Sequence, residues 1–132
     1  LFWNWSPAKV FMGDVGSIFL GAAFIGVILN SLTWLNILAL LLISMPLMAD
    51  AFVCVIRRFN AGQNIFQAHK SHLYQRLHQA GWAHSKVSSL YILSSALLAL
   101  SFFLGGFHLL VLCVASELLI GLYLDQRVAS FF

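Results

Sequence analysis

Four long apolar stretches, separated by short polar breaks, dominate the pattern of hydrophobic and polar positions along the chain. They cover residues 15–34, 35–56, 87–105 and 107–124. Each is close to the roughly 20 residues that a helix needs to cross a bilayer. Polar residues within positions 30–36 break the first stretch from the second, and Gly105-Gly106 breaks the third from the fourth. Because both breaks are short, the pattern predicts four membrane-spanning helices arranged as two hairpins, with a polar loop at residues 57–86.

The composition of the chain is that of a membrane protein. Hydrophobic residues make up 61% of the chain and charged residues 8%, and the mean hydropathy is +0.93. A soluble globular chain carries about 25% charged residues, so that class is excluded. We therefore expect an all-α integral membrane protein in which residues 1–132 belong to one polytopic domain. Leu1 lies in an apolar, aromatic stretch without a signal-peptide pattern, so we expect a part of a longer protein.

The basic residues are distributed unevenly around the four stretches. All seven lie before the first stretch, between the second and third, or after the fourth: Lys9, Arg57, Arg58, Lys70, Arg76, Lys86 and Arg127. Neither hairpin break carries a Lys or Arg. Because the chain crosses the membrane in pairs of spans, the three basic regions fall on one side. The positive-inside rule predicts that this side is cytoplasmic.

A single carboxylate, Asp14, stands between Gly13 and Gly16 where the first apolar stretch begins. A charge is costly to hold near lipid, so an acidic residue at this depth is a candidate functional group. We hypothesise that Asp14 holds a divalent cation and a diphosphate at the membrane surface. The alternative is that it caps a helix beginning at Val15. The spacing is compatible with both.

Four of the five histidines lie in the polar loop: His69, His72, His78 and His84. Ser71 is a suitable cap, and Gly81 a suitable end, for a short helix in this loop. On such a helix His72, Arg76 and Gln79 share one face, and leucines occupy the neighbouring face. The pattern predicts a helix lying on the membrane that presents His72 and Arg76 to the cytoplasm.

Three interpretations of this loop remain open at this point. Arg76 suits phosphate, because the planar guanidinium matches two phosphate oxygens. The loop could instead be a basic segment that anchors to anionic lipid. His69 and His72 could also contribute to a zinc site, but such a site needs three or four ligands. The loop contains no Cys, Asp or Glu to complete it.

Two further carboxylates fall within the apolar stretches. Asp50 precedes Arg57 by about two helical turns, so it could face the same membrane side as Asp14. Its alternative role is structural, bonded to a loop arginine or to a helix terminus. Glu117 lies near the middle of the fourth stretch, where an acid should face protein rather than lipid. Pro46 predicts a bend in the second span.

Several of these residues together resemble the bacterial polyprenyl-phosphate N-acetylhexosamine-1-phosphate transferases, the MraY/WecA superfamily of glycosyltransferase family 4. Within it, the chain is most similar to the O-antigen-initiating enzymes of the WbpL type. The resemblance rests on three stretches: residues 9–17 (KVFMGDVGS) with Leu20-Gly21; residues 46–62 with Pro46-Leu47, Asp50, Arg57-Arg58 and Gly62; and residues 69–77 (HKSHLYQRL) with Gly81-Trp82 and His84.

The chain also departs from the family pattern. Many family members carry a His-x-His-His cluster in the loop. His72 matches its first histidine, whereas Tyr74 and Gln75 occupy the other two positions. The family's paired aspartates and second acidic loop belong to earlier spans and have no match here. The resemblance implies ten or eleven spans in the whole protein, of which these four are the last, and an isolated chain without activity.

The resemblance implies a reaction and its participants. The whole protein would transfer an N-acetylhexosamine-1-phosphate from a UDP-N-acetylhexosamine to undecaprenyl phosphate and release UMP, which initiates O-antigen or a related cell-envelope glycan. The implied setting is the bacterial inner membrane, with the active site facing the cytoplasm. The expected partners are these two substrates and membrane lipid, with a homodimer as an open alternative and no nucleic acid.

The resemblance also implies roles for five residues. Asp14 would bind Mg²⁺, with Mn²⁺ as an alternative, and would be catalytic together with His72. Arg76, His69 and Arg58 would bind the phosphates of the nucleotide sugar. The rival class is a non-enzymatic membrane subunit whose basic loop binds lipid or a partner. That class explains the spans and charges, but it does not explain the glycine-flanked aspartate together with the histidine loop.

Overall fold

The computed structural model describes residues 9–10, 12–64, 67 and 71–128, and all regular structure in these ranges is helical. The helices are α1 (Gly13–Leu29), α2 (Trp34–Ile43), α3 (Met45–Asn60), α4 (Leu73–Gln79) and α5 (His84–Arg127). For the described residues, this confirms the predicted all-α class. The chain divides into two compact units, Leu1–Leu41 and Leu42–Phe132.

The first unit begins its helix earlier than the sequence predicts. α1 starts at Gly13, whose φ of +63° is readily adopted only by glycine, and it ends at Leu29. None of its residues is buried, although most are apolar. A helix that is apolar all round needs a lipid or protein environment. The predicted polar break follows, and the Thr33 hydroxyl oxygen accepts a hydrogen bond from the Asn36 N–H at 3.2 Å, which starts α2.

The second predicted span is divided into two helices. α2 ends at Ile43 and α3 begins at Met45, with Pro46 in the first turn of α3. Proline has no N–H, and its ring clashes with the carbonyl four residues earlier, so one continuous helix is disfavoured here. The predicted bend at Pro46 is thus a break at Ser44. α3 continues to Asn60, which places Arg57 and Arg58 in its last turn.

α4 is the short loop helix, and its two ends differ in how well the sequence predicts them. Its end is as predicted, because Gly81 has a φ of +94°. The Gly81 and Trp82 N–H groups donate to the carbonyl oxygens of His78 and Leu77 at 3.0 and 3.1 Å. Its predicted cap is wrong, since the N-cap is His72 rather than Ser71. The Ser71 hydroxyl instead lies 3.3 Å from the Cys54 sulfur.

α5 contains non-helical backbone at Gly106, with φ of 65° and ψ of −159°, where the sequence predicts a break. These angles are essentially restricted to glycine. A straight helix of 44 residues would be about 66 Å long. Val128, beyond its end, nevertheless packs on the cluster of Leu77 and Val87 beside its start. The chain therefore turns back on itself at Gly106.

The helices differ in whether they are long and apolar enough to cross a membrane. Among the described residues, α5 is the one helix that is both long and apolar enough to cross a membrane. α2 and α3 meet the same criterion together, as one interrupted span, and α1 is a shorter apolar helix. Leu77 and Val87 form a small buried cluster in the second unit. The cluster of Leu77 and Val87 includes partly buried Leu73, Trp82, Leu90, Tyr91 and Val128.

Candidate functional site

The polar groups of the second unit are organised around two buried carboxylates, Asp50 in α3 and Asp125 near the end of α5. Their side chains are each 8% exposed. Each carboxylate joins helices that are distant in sequence. Burial of an acidic side chain is tolerated when its oxygens are hydrogen-bonded or paired with cations, and both conditions are met here.

Asp50 binds the start of α4 and one side chain of α5. Its Oδ1 accepts a hydrogen bond from the Leu73 N–H at 2.7 Å, and its Oδ2 accepts one from the Tyr91 hydroxyl at 3.0 Å. This geometry is the structural alternative that the sequence left open, a carboxylate bonded to a helix terminus. Burial first, and the charge of Asp50 second, raise the pKa of the nearby Tyr74 phenol.

His72 is the N-cap of α4 and lies next to Asp50. Its Nδ1 is 3.7 Å from Asp50 Oδ1, and its side chain is 25% exposed. The backbone N–H of His72 donates to Gln75 Oε1 at 3.3 Å. The imidazole also stacks against Tyr74, with ring centroids 5.5 Å apart. The candidate catalytic histidine is therefore held on several sides while part of its ring stays accessible.

Asp125 pairs with two arginines. Arg57 binds both carboxylate oxygens, with a distance of 2.9 Å from Nη1 to Oδ1. Arg76 Nη1 donates to Asp125 Oδ1 at 2.6 Å, and Arg76 Nη2 donates to the Asp125 backbone carbonyl oxygen at 3.0 Å. The side chain of Arg76 is only 6% exposed, whereas that of Arg57 is 35% exposed.

The expectation that Arg76 faces the cytoplasm is wrong. Its guanidinium is buried because Asp125, 49 residues away, offers a carboxylate and a carbonyl oxygen. Asp125 was not among the candidate residues selected from the sequence. One signal was available, because the topology puts the end of the fourth stretch on the same side as Arg57 and Arg76. Tyr91 was missed as well, with no comparable signal.

Arg58, another candidate phosphate ligand, is buried at the end of α3. Its Nη2 donates to the Asn64 carbonyl oxygen. Its Nε has no hydrogen-bond partner among the described residues. A role for Arg58 in substrate binding stays a prediction. His69 lies outside the described residues, so its predicted role stays a prediction too.

Asp14 is exposed in the first turn of α1, in the first unit. The N-cap of α1 is Met12 and forms no side-chain cap hydrogen bond. The alternative interpretation, that Asp14 caps a helix beginning at Val15, is therefore wrong, because α1 starts at Gly13. The Ser17 hydroxyl donates to the Asp14 backbone carbonyl oxygen at 3.0 Å. The Asp14 carboxylate itself is thus placed at the accessible beginning of an apolar helix.

The donor set for a metal ion is small in the part of the chain that the structure describes. No group of three or more His, Cys, Asp or Glu side chains lies close enough there to hold a metal. Asp14 offers one hard carboxylate. Mg²⁺ is usually held by one or two carboxylates together with substrate phosphates and water. Asp14 therefore fits a Mg²⁺ site to which phosphates and further ligands contribute.

A cavity of about 700 Å³ lies within the second unit, between α3 and both halves of α5. Its lining is predominantly apolar, with Asp50, Tyr91, Glu117 and Asp125 among the polar exceptions. Pockets with apolar walls and few polar groups suit ligands with a large apolar part. The cavity is therefore chemically compatible with a hydrocarbon chain.

Comparison with known proteins gives a consistent set of matches. The model of glycosyl transferase family 4 matches residues 1–32. A probable undecaprenyl-phosphate N-acetylglucosaminyl 1-phosphate transferase of Bacillus subtilis is 34% identical over 89 residues, which are 64% of this chain and 25% of the relative. The phospho-N-acetylmuramoyl-pentapeptide-transferase of Corynebacterium jeikeium is 32% identical over 103 residues, 78% of this chain and 28% of the relative.

A third relative agrees with the first two. The phospho-N-acetylmuramoyl-pentapeptide-transferase of Orientia tsutsugamushi is 36% identical over 104 residues, which are 76% of this chain and 27% of the relative. The chain thus spans only about a quarter of the length of the relatives it matches. No solved structure matches it at a significant level.

Proposed function

Because the chain belongs to glycosyl transferase family 4, we propose that the protein transfers an N-acetylhexosamine-1-phosphate from a UDP-N-acetylhexosamine to undecaprenyl phosphate and releases UMP. The observation that carries this proposal is the similarity to two kinds of relative. One is named as a probable undecaprenyl-phosphate N-acetylglucosaminyl 1-phosphate transferase and the other as a phospho-N-acetylmuramoyl-pentapeptide-transferase. The chain would supply the last four of ten or eleven spans. Initiation of O-antigen or a related envelope glycan would be its biological role.

The chemistry of the reaction explains what this chain would contribute. Both substrates are anionic, so bringing them together is opposed by charge repulsion. Mg²⁺, with Mn²⁺ as the alternative, would supply positive charge that lowers this barrier. Asp14 would hold the ion. His72 would hydrogen-bond to a phosphate through its accessible ring.

Arg76 would act in a different way from His72. Arg76 is engaged by Asp125, so its main part would be to fasten α4, which begins beside His72, to the end of α5. Arg58 and His69 would be the further candidates for phosphate contact. The apolar cavity in the second unit would accommodate part of the polyprenyl chain or of the earlier spans.

The proposed topology has four spans in two hairpins, with the basic segments in the cytoplasm. The reversal at Gly106 and the polar break before Trp34 support it. We expect Thr33→Cys and His108→Cys to react with a membrane-impermeant thiol reagent from the periplasm, in a background with Cys54 and Cys113 replaced by serine. His108 is exposed and avoids the positive φ of Gly106. Reaction only from the cytoplasm would reverse the topology.

The function is tested with the purified full-length protein, Mg²⁺, a UDP-N-acetylhexosamine and undecaprenyl phosphate. We expect UMP and a lipid-linked sugar phosphate in equal amounts. The isolated 132-residue chain should release no UMP, because the acidic residues of the family's earlier spans lie outside it. A full-length protein without turnover that binds anionic vesicles through residues 57–86 would favour the non-enzymatic subunit instead.

A further inference from the structure

We propose that Asp50 is the positioning residue of His72. Its carboxylate fixes the first turn of α4 and thereby sets the place of the imidazole. This inference rests on the role proposed above for His72 and deepens it. Asp50 itself would not touch the substrate, because its side chain is 8% exposed and both of its oxygens are engaged within the protein.

Three helices meet at this carboxylate. Asp50 belongs to α3. Its carboxylate accepts a hydrogen bond at 2.7 Å from the N–H of Leu73, the first residue of α4. It accepts another at 3.0 Å from the hydroxyl of Tyr91 in α5. The first N–H groups of a helix have no partner within the helix, so they need an external acceptor. Asp50 supplies that acceptor from 23 residues away, and Tyr91 holds the acceptor in place.

The backbone is consequently held on both sides of His72. Its own N–H donates to Gln75 Oε1 at 3.3 Å, and the next N–H, that of Leu73, donates to Asp50. The imidazole Nδ1 then lies 3.7 Å from Asp50 Oδ1. Loss of the Asp50 contact would leave the first turn of α4 free to fray, and the ring would move with it.

Asp125 provides the comparison, because it is a carboxylate of equal burial with different partners. It binds Arg57 in α3 and Arg76 in the last turn of α4. Asp125 therefore holds the body of α4 through Arg76, whereas Asp50 holds its first residue. Substitutions of Asp50 and Asp125 should therefore differ in how their effects on kcat combine with the effect of His72→Ala.

The first experiment removes the donor rather than the acceptor. Leu73→Pro deletes the N–H that donates a hydrogen bond to Asp50. Proline is tolerated at the first helical position, and the φ of −65° and ψ of 149° at His72 suit a residue before proline. We expect Leu73→Pro in the full-length protein to lower kcat about tenfold or more, with less change in KM. Leu73→Ala keeps the N–H while it also shortens the packed side chain, so it is the matched control, and its kcat should exceed that of Leu73→Pro about tenfold or more.

The second experiment is a double-mutant cycle on kcat between Asp50→Ala and His72→Ala. If Asp50 acts through His72, the double variant should turn over at about the rate of His72→Ala alone. The effects of Asp125→Asn and His72→Ala should instead multiply. Asp50→Asn keeps an oxygen that can accept from Leu73 and should recover most of the activity. Multiplying effects of Asp50→Ala and His72→Ala would overturn the proposal.

A third measurement does not depend on activity. Amide hydrogen exchange should speed up at least about tenfold at residues 73–75 in Asp50→Ala and at residues 74–75 in Leu73→Pro, but much less in Asp50→Asn. Unchanged exchange would overturn the positioning role. If the wild-type protein releases no UMP, the proposed function fails, and exchange still decides the role of Asp50. If Asp50→Ala does not fold, Leu73→Pro against Leu73→Ala decides it.

Discussion

Asp14→Asn in the full-length protein should lower turnover by roughly a hundredfold or more without unfolding it. A metal-bound oxygen contributes several kcal/mol to stabilisation of a phosphoryl-transfer transition state, and the neutral amide is a weaker ligand for Mg²⁺. Asp14 is exposed in the first turn of α1, so its loss should disturb packing little. The measurement is UMP release as a function of Mg²⁺ concentration, with helicity followed by circular dichroism.

The conservative variant separates metal binding from a helix effect. Asp14→Glu keeps a carboxylate one methylene further out, so it should retain part of the activity and need more Mg²⁺. An acidic residue in the first turn also stabilises a helix by about 0.3–1 kcal/mol, and this contribution is similar for Asp and Glu. Near-wild-type turnover and an unchanged Mg²⁺ dependence in Asp14→Asn would reduce the role of Asp14 to this helix effect.

Local chemistry made several parts of the fold predictable. Pro46 breaks a helix because it has no N–H, and Gly106 breaks one because glycine readily adopts a positive φ. Both reasons lie in a single residue. Gly81 ends α4 for the same reason as Gly106. The start of α1 was placed two residues late, because a glycine at its first position gave no cap signal. Whether the apolar helices form two hairpins stays a prediction.

The candidate site was less predictable, because its geometry depends on long-range pairs. His72 was selected through a motif, but its position as the N-cap of α4 depends on Asp50, 22 residues earlier. The sequence correctly predicted a short helix in the loop, yet His72 caps it from outside instead of sharing its face with Arg76, and Asp125 makes Arg76 a buried group. Helical periodicity gives the face of a residue, whereas its solvent exposure depends on which partner the tertiary fold brings.

The pair of Arg76 and Asp125 gives the largest expected effect on stability. Asp125→Leu removes the partner of a guanidinium that is 6% exposed. Removing one member of a buried ion pair costs about 3–5 kcal/mol, because the other charge stays buried without its partner of opposite charge. The free energy of unfolding of a domain is about 5–15 kcal/mol, so this is a large fraction. Arg57→Ala removes the partner that is 35% exposed and should cost only about 0–1 kcal/mol.

A double variant tests whether the cost of Asp125→Leu comes from the stranded charge of Arg76. Asp125→Leu with Arg76→Met replaces the buried pair by apolar side chains of similar size, and such replacements are often neutral or stabilising. We therefore expect the double variant to unfold at a higher temperature than Asp125→Leu alone, in detergent or nanodiscs. Because Arg57 is partly exposed, it can turn to water in both variants and does not obscure the comparison. Equal unfolding temperatures of Asp125→Leu and the wild type would contradict the buried pair. A double variant no more stable than Asp125→Leu would show that the loss lies in packing rather than charge.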